Sequence, residues 1–430
     1  MRRALGPALA AVATAFVWLV PFKMLSLWRG MAITDLPTYQ HIVNAIADGQ
    51  MPYRDIPIEY PPLATALFWV VARLPGHYDT AFDALMMLCL CATAAGVVAT
   101  AQALGVGRNR AVAAAVPVVL CPLLLGNLVS TRFDLSLAAV LAWTVWAAVT
   151  ARWRWMWALL VVGVLLKLVP LALVPVLMVW HAHRVDVRAA LRGAGTWLGI
   201  GALLVFPLVT MTPGGMWHVL DYHLSRPPQI ESLASSYTLA LHLIAGFGVA
   251  VESSFGSQGL SGDGPATVAA LTTAGTVVLV GAIAVATHLA LRRARTGLDA
   301  RVTVAGVAAT VAALVATGKV LSPQFMVWLL PATFLVCGRY GPGAWVAGVA
   351  AMVLTQTYFP DRYWDLVALH HGPILLLCAR NAVLMMLVAL CWPRGRQGMP
   401  PPSGPVMSRG PGAPEVTGPD HAVRARYLTD

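Results

Sequence analysis

Long apolar stretches recur along almost the whole chain and are separated by short segments that are rich in arginine or proline. Of the 430 residues, 58% are hydrophobic and only 11% are charged. A soluble domain carries roughly 25% charged residues, so this chain has too little charge to cover a water-exposed surface. The apolar stretches have the length of helices and lack the short alternating pattern of barrel strands. The sequence therefore predicts an all-α, polytopic transmembrane protein.

The basic residues indicate how this protein is oriented in the membrane. The net charge is +11, and arginine greatly outnumbers lysine among the 29 basic residues. Most arginines lie in short loops between apolar segments, which is typical of loops retained on the cytoplasmic side. With Arg2 and Arg3 they predict cytoplasmic termini, and most acidic residues then fall on the outer side. This placement argues against nucleic acid as a partner and favours the lipid bilayer of the cell membrane.

Hydropathy predicts about twelve membrane segments in one transmembrane domain, residues 1–395, followed by a disordered cytoplasmic tail, residues 396–430. Residues 38–48 and 61–74 are expected to form short interfacial helices in the first outer loop. The break at 167–170 splits 155–180 into two short helices, 236–249 is expected to be re-entrant or interfacial, and 251–264 is a Gly-rich outer loop. The other predicted segments are 7–27, 79–104, 111–126, 133–150, 193–211, 265–291, 302–317, 324–338, 343–357 and 373–392.

The first outer loop, residues 34–63, concentrates polar chemistry in an otherwise apolar sequence. For any single acid in it, an ordinary solvated loop residue is the commoner interpretation. The loop as a whole favours function, because charged residues alternate with tyrosines and prolines directly after an apolar helix. Its charged residues and tyrosines are Asp35, Asp48, Arg54, Asp55, Glu59, Tyr39, Tyr53 and Tyr60.

Three further polar clusters follow on the predicted outer face. Arg132 and Asp134 begin one apolar segment, and an ion pair that helps helix packing is a slightly better interpretation than catalysis. Lys167 and Lys319 lie within and at the end of apolar segments, where snorkelling and function are equally open. The third cluster consists of Tyr222, His223, Arg226, Gln229 and Glu231, and the fourth consists of Lys319 and Gln324; Lys167 belongs to none of the four clusters.

Several classes of site are excluded or disfavoured by the sequence. The histidines are scattered and none shows the HExxH spacing of a zinc enzyme. No phosphate-binding Gly-rich loop lies in a soluble context, and no predicted cytoplasmic loop is long enough for a nucleotide-binding domain. The six cysteines lie in or beside apolar segments, which favours small core residues over a disulfide framework. An enzyme of this kind must use a substrate delivered by the membrane.

The order of the polar motifs resembles that of the GT-C membrane glycosyltransferases of family 87, the DUF2029 group. The resemblance covers most of residues 1–395. Members of this family are similar to polyprenol-phosphate-mannose-dependent mannosyltransferases of cell-envelope glycolipids, and related GT-C enzymes transfer arabinofuranose or other sugars. The matching segments are Asp35 to Pro62, Arg132-Phe133-Asp134, Lys167-Leu168-Val169-Pro170, Tyr222 to Ser232, and Lys319 to Trp328.

The resemblance implies transfer of a sugar, mannose in the first instance, from a polyprenyl-phosphate donor to a lipid or glycan acceptor on the outer face. It places Asp35 at the position of the catalytic acid, where a carboxylate takes the proton of the acceptor hydroxyl. Spacing alone leaves Asp55 and Glu59 open as the base. No cofactor is implied, and a metal is not obligatory because the leaving group is already a phosphate on a lipid. The implied substrate-binding residues are Lys319, Arg226, Arg132, Arg54, Glu59, Tyr60, Tyr222 and Gln324.

Two other functional classes remain open from the sequence. A transporter or flippase of lipid-linked sugars would use the same amphipathic cavity and basic residues but would need no general base. A non-catalytic scaffold subunit would need the outer charged residues only for assembly. The role of Asp35 in transfer distinguishes the enzyme from both.

Overall fold

Helices packed side by side form nearly all of the structure, a computed structural model that describes residues 2–25, 33–294 and 297–395. The predicted tail, 396–430, lies outside the described residues, so its boundary and its disorder stay predictions. The α-helices are α1 (Arg2–Val17), α2 (Leu36–Ala47), α3 (Pro62–Ala72), α4 (Tyr78–Ala103), α5 (Arg108–Val119), α6 (Cys121–Leu125), α7 (Leu128–Thr131), α8 (Asp134–Val149), α9 (Trp153–Leu166), α10 (Val174–Arg184), α11 (Val187–Met211), α12 (Pro213–Ser225), α13 (Leu233–Ala245), α14 (Asp263–Arg293), α15 (Asp299–Thr317), α16 (Gly341–Tyr358), α17 (Tyr363–Val367) and α18 (His371–Cys391).

Six helical segments in the described residues are long and apolar enough to cross a membrane, and several shorter apolar helices accompany them. This agrees with the predicted all-α, polytopic membrane protein. The predicted number of about twelve segments is not established by these six, and it stays a prediction. The six segments are Ala4–Met24, Tyr78–Ala103, Val187–Met211, Gly264–Arg293, Asp299–Thr317 and His371–Cys391.

The two short helices that the sequence predicts around residues 34–63 are present. Helix α2 ends just before Gly49, whose φ of +86° is in the left-handed region that glycine adopts without a steric penalty. Helix α3 begins at the Pro61-Pro62 pair, and Pro62 suits the first turn of a helix because its missing amide needs no partner there. Both helices pack against each other and hold the loop between them.

The predicted break after Lys167 is also present. Helix α9 ends at Leu166, a 3₁₀ turn covers Val169–Leu173, and α10 starts at Val174. Pro170 explains the change, because its ring has no amide to donate and disfavours helix in the residue before it. The chain therefore leaves helical geometry at the point where Lys167 is placed.

One local prediction was wrong. Residues 324–338 do not form a membrane-crossing helix but two 3₁₀ turns, Pro323–Leu329 and Thr333–Leu335, within which most side chains are buried. Pro323 and Pro331 interrupt the backbone ladder, so the apolar run reflects burial inside the protein and not contact with lipid.

The expected Gly-rich loop at 251–264 forms a hairpin of β1 (Ala250–Ser254) and β2 (Ser257–Ser261). Phe255 and Gly256 join the strands and both have positive φ values, as a tight two-residue hairpin turn requires. The hairpin adds the only strand pair among the described residues to an otherwise helical chain.

Burial separates the helices that form the core from those that face lipid. Among the six segments, α15 is the most buried. In its most apolar stretch 83% of the residues are buried, whereas the corresponding value for α11 is 11%. At one end of the bundle, Arg301 near the start of α15 donates to the carbonyl of Leu104 at the end of α4, 3.3 Å away. Because both helices run the length of the bundle, Lys319 after α15 and Tyr78 at the start of α4 lie at the opposite end.

Close packing of α4 against α8 depends on Gly96. A Cβ atom at this position would lie 3.0 Å from the Ala142 Cβ and 3.3 Å from its carbonyl carbon. We expect Gly96→Leu to destabilise the protein by about 1–3 kcal/mol, because the two helices must separate. Gly199→Leu is the matched control, since nothing lies within 4 Å of a Cβ on this glycine of the exposed helix α11. Thermal unfolding in detergent micelles measures both, and equal unfolding temperatures would contradict the prediction.

Candidate functional site

Asp35 begins helix α2 but does not cap it. An aspartate at this position usually accepts a hydrogen bond from the first turn, yet its side chain makes no capping bond here. Its carboxylate instead forms an ion pair with Arg132 and accepts a hydrogen bond from the Tyr39 hydroxyl, 3.4 Å away. Arg132 also donates to the carbonyl of Ile33 at 3.1 Å. The Asp35 side chain is 33% exposed and that of Arg132 only 7%, so the acid is reachable while its partner is fixed.

A second ion pair lies beside the first. The Lys167 ammonium donates to Asp134 Oδ1 at 2.6 Å, and the Trp328 indole donates to the same oxygen at 2.8 Å. The ammonium also lies about 5 Å from the ring centroids of Phe133, Phe325 and Trp328. The predicted pairing of Arg132 with Asp134 is therefore replaced by a crossed arrangement, and Lys167 is held inward by an acid and does not extend to the membrane surface.

The third and fourth polar clusters of the sequence meet in one turn. The Gln229 backbone N–H donates to the Lys319 carbonyl at 3.0 Å, and the Ser322 hydroxyl donates to Gln229 Oε1 at 3.1 Å. The Lys319 ammonium donates to the carbonyl of Leu224 at 2.6 Å, near the end of α12. The segment from α12 to α13 is thus attached directly to the turn that follows α15.

Positive charges from four separate parts of the chain converge at this point. Partial desolvation lowers the pKa of His223, and the charges of Arg226, Lys167 and Lys319 lower it further. Burial likewise lowers the pKa of Lys319, with an added contribution from Arg226. Arg132 and Arg226 both interact electrostatically with Lys167. Such a cluster favours an anion, because it offers several charge-assisted donors in one place.

Aromatic side chains form the wall of this site. Tyr60 packs edge-to-face against Tyr39 and Phe133, with ring centroids 5.8 and 5.6 Å apart. The Tyr222 hydroxyl donates to the carbonyl of Phe255 at 2.5 Å, which attaches the β-hairpin to α12. Burial raises the pKa of Tyr222 to about 12, and the neighbouring charge of Glu59 raises it too. Glu59 also acts on Tyr60, so these three predicted residues lie together.

Two predicted site residues have a different placement. Arg54 makes two hydrogen bonds of 2.9 Å to its neighbour Asp55, and its side chain is 59% exposed. Its hydrogen bond lowers the pKa of Asp55 to about 2. Gln324 is half-buried, and its side chain makes no hydrogen bond to another described residue. The structure therefore links the other predicted residues to one another, whereas the Arg54 side chain is engaged by its neighbour Asp55.

Glu231 is a buried acid that was not among the predicted site residues. It is 1% exposed, and it accepts hydrogen bonds from Gln229 Nε2 at 2.7 Å and from the Tyr358 hydroxyl at 3.4 Å. Burial raises its pKa to about 7, although Arg380 and these hydrogen bonds act in the opposite direction. A signal was present in the sequence, because Arg380 lies in an apolar helix and a buried arginine needs a partner.

Within residues 2–25, 33–294 and 297–395, no group of three or more His, Cys, Asp or Glu side chains has the arrangement of a metal site. The expectation that no metal is needed stays a prediction, because it concerns the reaction.

Comparison with known protein families places these residues in context. The family model described as Glycosyltransferase family 87 matches residues 59–323, which is well over half of the chain. The match includes Glu59, Arg132, Lys167, Arg226 and Lys319, and it begins after Asp35. No curated protein matches the chain.

The Asp134–Lys167 pair gives a direct test of the buried electrostatics. We expect Lys167→Met to destabilise the protein by about 3–5 kcal/mol, because it leaves the Asp134 carboxylate buried without its cation. The double variant Asp134→Asn, Lys167→Met removes both charges and keeps an acceptor for Trp328, so it should recover much of this loss. Denaturant unfolding in micelles measures the difference. A double variant as unstable as the single one would argue against the pairing.

Proposed function

The chain belongs to glycosyltransferase family 87, and on that basis we propose that it transfers a sugar, mannose in the first instance, from a polyprenyl-phosphate donor to a cell-envelope glycolipid or polysaccharide. In this proposal the protein is a GT-C enzyme with about twelve membrane segments, and the reaction takes place on the outer face. The single observation that carries the proposal is the accessible Asp35–Arg132 pair beside a cluster of cations, in a protein with lipid-facing helices.

Asp35 is the general base in this proposal. The acceptor hydroxyl oxygen attacks the anomeric carbon of the sugar, and the bond from that carbon to the phosphate oxygen breaks. The hydroxyl proton passes to the Asp35 carboxylate, while the bonding electrons leave with the lipid phosphate. Arg132 and Tyr39 hold the carboxylate in one orientation, which a base needs to meet a proton at hydrogen-bond distance.

The leaving phosphate is stabilised by the convergent cations. Its negative charge increases as the sugar departs, so donors fixed around it contribute most in the transition state. Arg226 directly follows α12, and Lys319 lies in the turn after α15. Lys167 and Arg132 complete the cluster. Since Lys167 is neutralised in part by Asp134, Arg226 and Lys319 are the main phosphate ligands in this proposal.

Sugar recognition is assigned to the aromatic wall. Tyr60, Tyr222 and Glu59 lie within electrostatic range of one another and offer hydroxyl and carboxylate groups to sugar hydroxyls. Gln324 and Arg54 stay in the proposal on the strength of the sequence resemblance, as groups that meet the substrate at the edge of the site.

The distribution of arginine supports a site on the outer face. Arg301 and Arg184 lie at the end of the bundle where α4 finishes and α15 begins, and Arg184 pairs with Asp299 at 2.7 Å. The cation cluster follows the other end of α15. Under the rule that arginine-rich loops stay inside, the termini are cytoplasmic and Asp35 is outside.

Asp35→Asn tests the proposed base. We expect it to lower sugar transfer by about 10²–10⁴-fold, because the amide cannot take the hydroxyl proton. Asp48→Asn is the matched control, since this exposed acid ends the same helix α2 and has no such partners. The measurement is transfer from a polyprenyl-phosphate sugar in membranes that contain equal amounts of folded protein. Full sugar transfer by Asp35→Asn would contradict the role of Asp35 as the base. Translocation of a lipid-linked sugar without any transfer would favour the flippase.

Arg226→Met tests the phosphate ligand separately. We expect the KM for the donor to rise at least tenfold, because a charge-assisted bond to phosphate contributes about 1.5–3 kcal/mol. Arg73→Met is the control, because Arg73 is exposed and stacks on Trp69 on the same side of the protein. Titration of the donor against a fixed acceptor gives both constants. An unchanged KM with unchanged kcat would show that Arg226 does not bind the donor.

A further inference from the structure

The mechanism proposed above assigns no function to Glu231, a buried ionisable group beside the site. Glu231 lies in the segment between α12 and α13, next to the cations, and only 1% of its surface is exposed. A carboxylate in such a place costs free energy unless it makes specific hydrogen bonds. Its contacts therefore indicate what it contributes.

Glu231 fixes the direction of one amide. Gln229 Nε2 donates to Glu231 Oε2 at 2.7 Å, so the oxygen of the same amide points the other way, where it accepts from the Ser322 hydroxyl at 3.1 Å. An amide has a donor end and an acceptor end, and a partner that only accepts selects one of the two orientations. The side chain of Gln229 is therefore held between a buried acid and the turn after α15.

Gln229 also contacts the turn after α15 through its backbone. The Gln229 N–H donates to the Lys319 carbonyl at 3.0 Å. The turn is thus tied at Lys319 and at Ser322, three residues apart, to one glutamine. The Lys319 ammonium then reaches the Leu224 carbonyl at 2.6 Å, where it lies beside Arg226.

Glu231 is in turn anchored in the helical core. Its carboxylate accepts from Tyr358 of α16, and its backbone carbonyl accepts from Arg380 Nη2 at 2.8 Å and from Asn381 Nδ2 at 3.3 Å on α18. The charged and titratable groups that face it are Arg380, Tyr358, Arg132 and Tyr363. The connection therefore runs from two packed helices through Glu231 and Gln229 to the turn that carries Lys319.

We propose that Glu231 is a positioning residue: through Gln229 it fixes the turn at Lys319–Ser322 and so determines where the Lys319 ammonium stands. A lysine side chain has a long flexible stem, and holding its base in place reduces the freedom lost when it binds an anion. That Lys319 meets a lipid phosphate rests on the proposed function. The geometric part, from Glu231 to Lys319, does not.

The three lysines of the chain, Lys23, Lys167 and Lys319, allow a direct test. Reductive methylation with ¹³C-formaldehyde gives each lysine in the full-length protein its own methyl signal, and titration in lipid nanodiscs follows the Lys319 pKa. We expect Glu231→Ala to raise this pKa toward the ordinary lysine value, because the released side chain moves into water and away from Arg226. The Lys23 signal should not move, and Glu252→Ala, which removes an exposed acid of the hairpin, should change neither signal.

A conservative variant separates positioning from charge. Glu231→Gln loses the charge but keeps an oxygen that accepts from Gln229, so the Lys319 signal should stay close to that of the unchanged protein. A shift as large as that of Glu231→Ala would overturn the route through Gln229. Should Glu231→Ala fail to fold, Ser322→Ala removes one hydrogen bond at the other end of Gln229 and should shift the Lys319 signal in the same direction. No shift in either folded variant would overturn the proposal.

Kinetics then link the position to the proposed reaction. We expect Glu231→Ala to raise the donor KM at least tenfold with a smaller change in kcat, and Glu231→Gln to restore it. An effect on folding alone would lower the amount of active protein and leave the KM unchanged, which would contradict positioning. A Lys319 signal that responds as expected in a protein without any sugar transfer would support the positioning and refute the proposed function.

Discussion

Buried charge is the constraint on which the arrangement of this site depends. In an apolar protein an unpaired carboxylate or ammonium is strongly unfavourable, so each one must find a partner from another part of the chain. Asp35 and Arg132 join the loop of residues 34–63 to the start of α8, and Asp134 and Lys167 join α8 to the break before α10. The first pair joins segments that are about a hundred residues apart in the sequence, and the second pair joins the two ends of the α8–α9 hairpin. The polar site is therefore formed by the same interactions that stabilise the fold around it.

Irregular backbone supplies the positions at which those charges lie. Lys167 has extended geometry between α9 and α10, and Trp328 lies in a 3₁₀ turn, yet both donate to the same oxygen of Asp134. Non-helical backbone inside a membrane protein is tolerated where it is buried in protein or lines a polar cavity. Pro170 and Pro323 lie within or at the start of these 3₁₀ turns and keep the chain from continuing as a helix, so the side chains are placed where a continuous helix would present them to lipid.

Hydropathy and proline placement made much of the fold predictable from the sequence. The break after Lys167 and the two helices of the first outer loop depend on local chemistry, and local chemistry is visible in a sequence. The segment 324–338 was mistaken for a membrane helix because burial inside protein and exposure to lipid select the same apolar residues. The sequence also did not predict that Arg132 pairs with Asp35 while Asp134 pairs with Lys167. The short spacing of Arg132 and Asp134 along the chain does not reveal which distant charge each of them contacts. Glu231 was named in a predicted polar cluster, but its burial and its contacts with Tyr358 and Arg380 were not predicted, because these two residues lie 127 and 149 residues further along the chain.

Asp35, Asp134 and Glu231, three of the acids at this site, illustrate how environment divides roles among carboxylates. Asp134 is 2% exposed, and its Oδ1 already accepts from both an ammonium and an indole. Glu231 is 1% exposed and directed at an amide and a phenol within the protein. Neither has an open approach for the hydroxyl of a second substrate. Asp35 is different, because a third of its side chain is exposed while its partner Arg132 is almost completely covered. A base must be fixed on one side and open on the other, and among these three acids that combination belongs to Asp35.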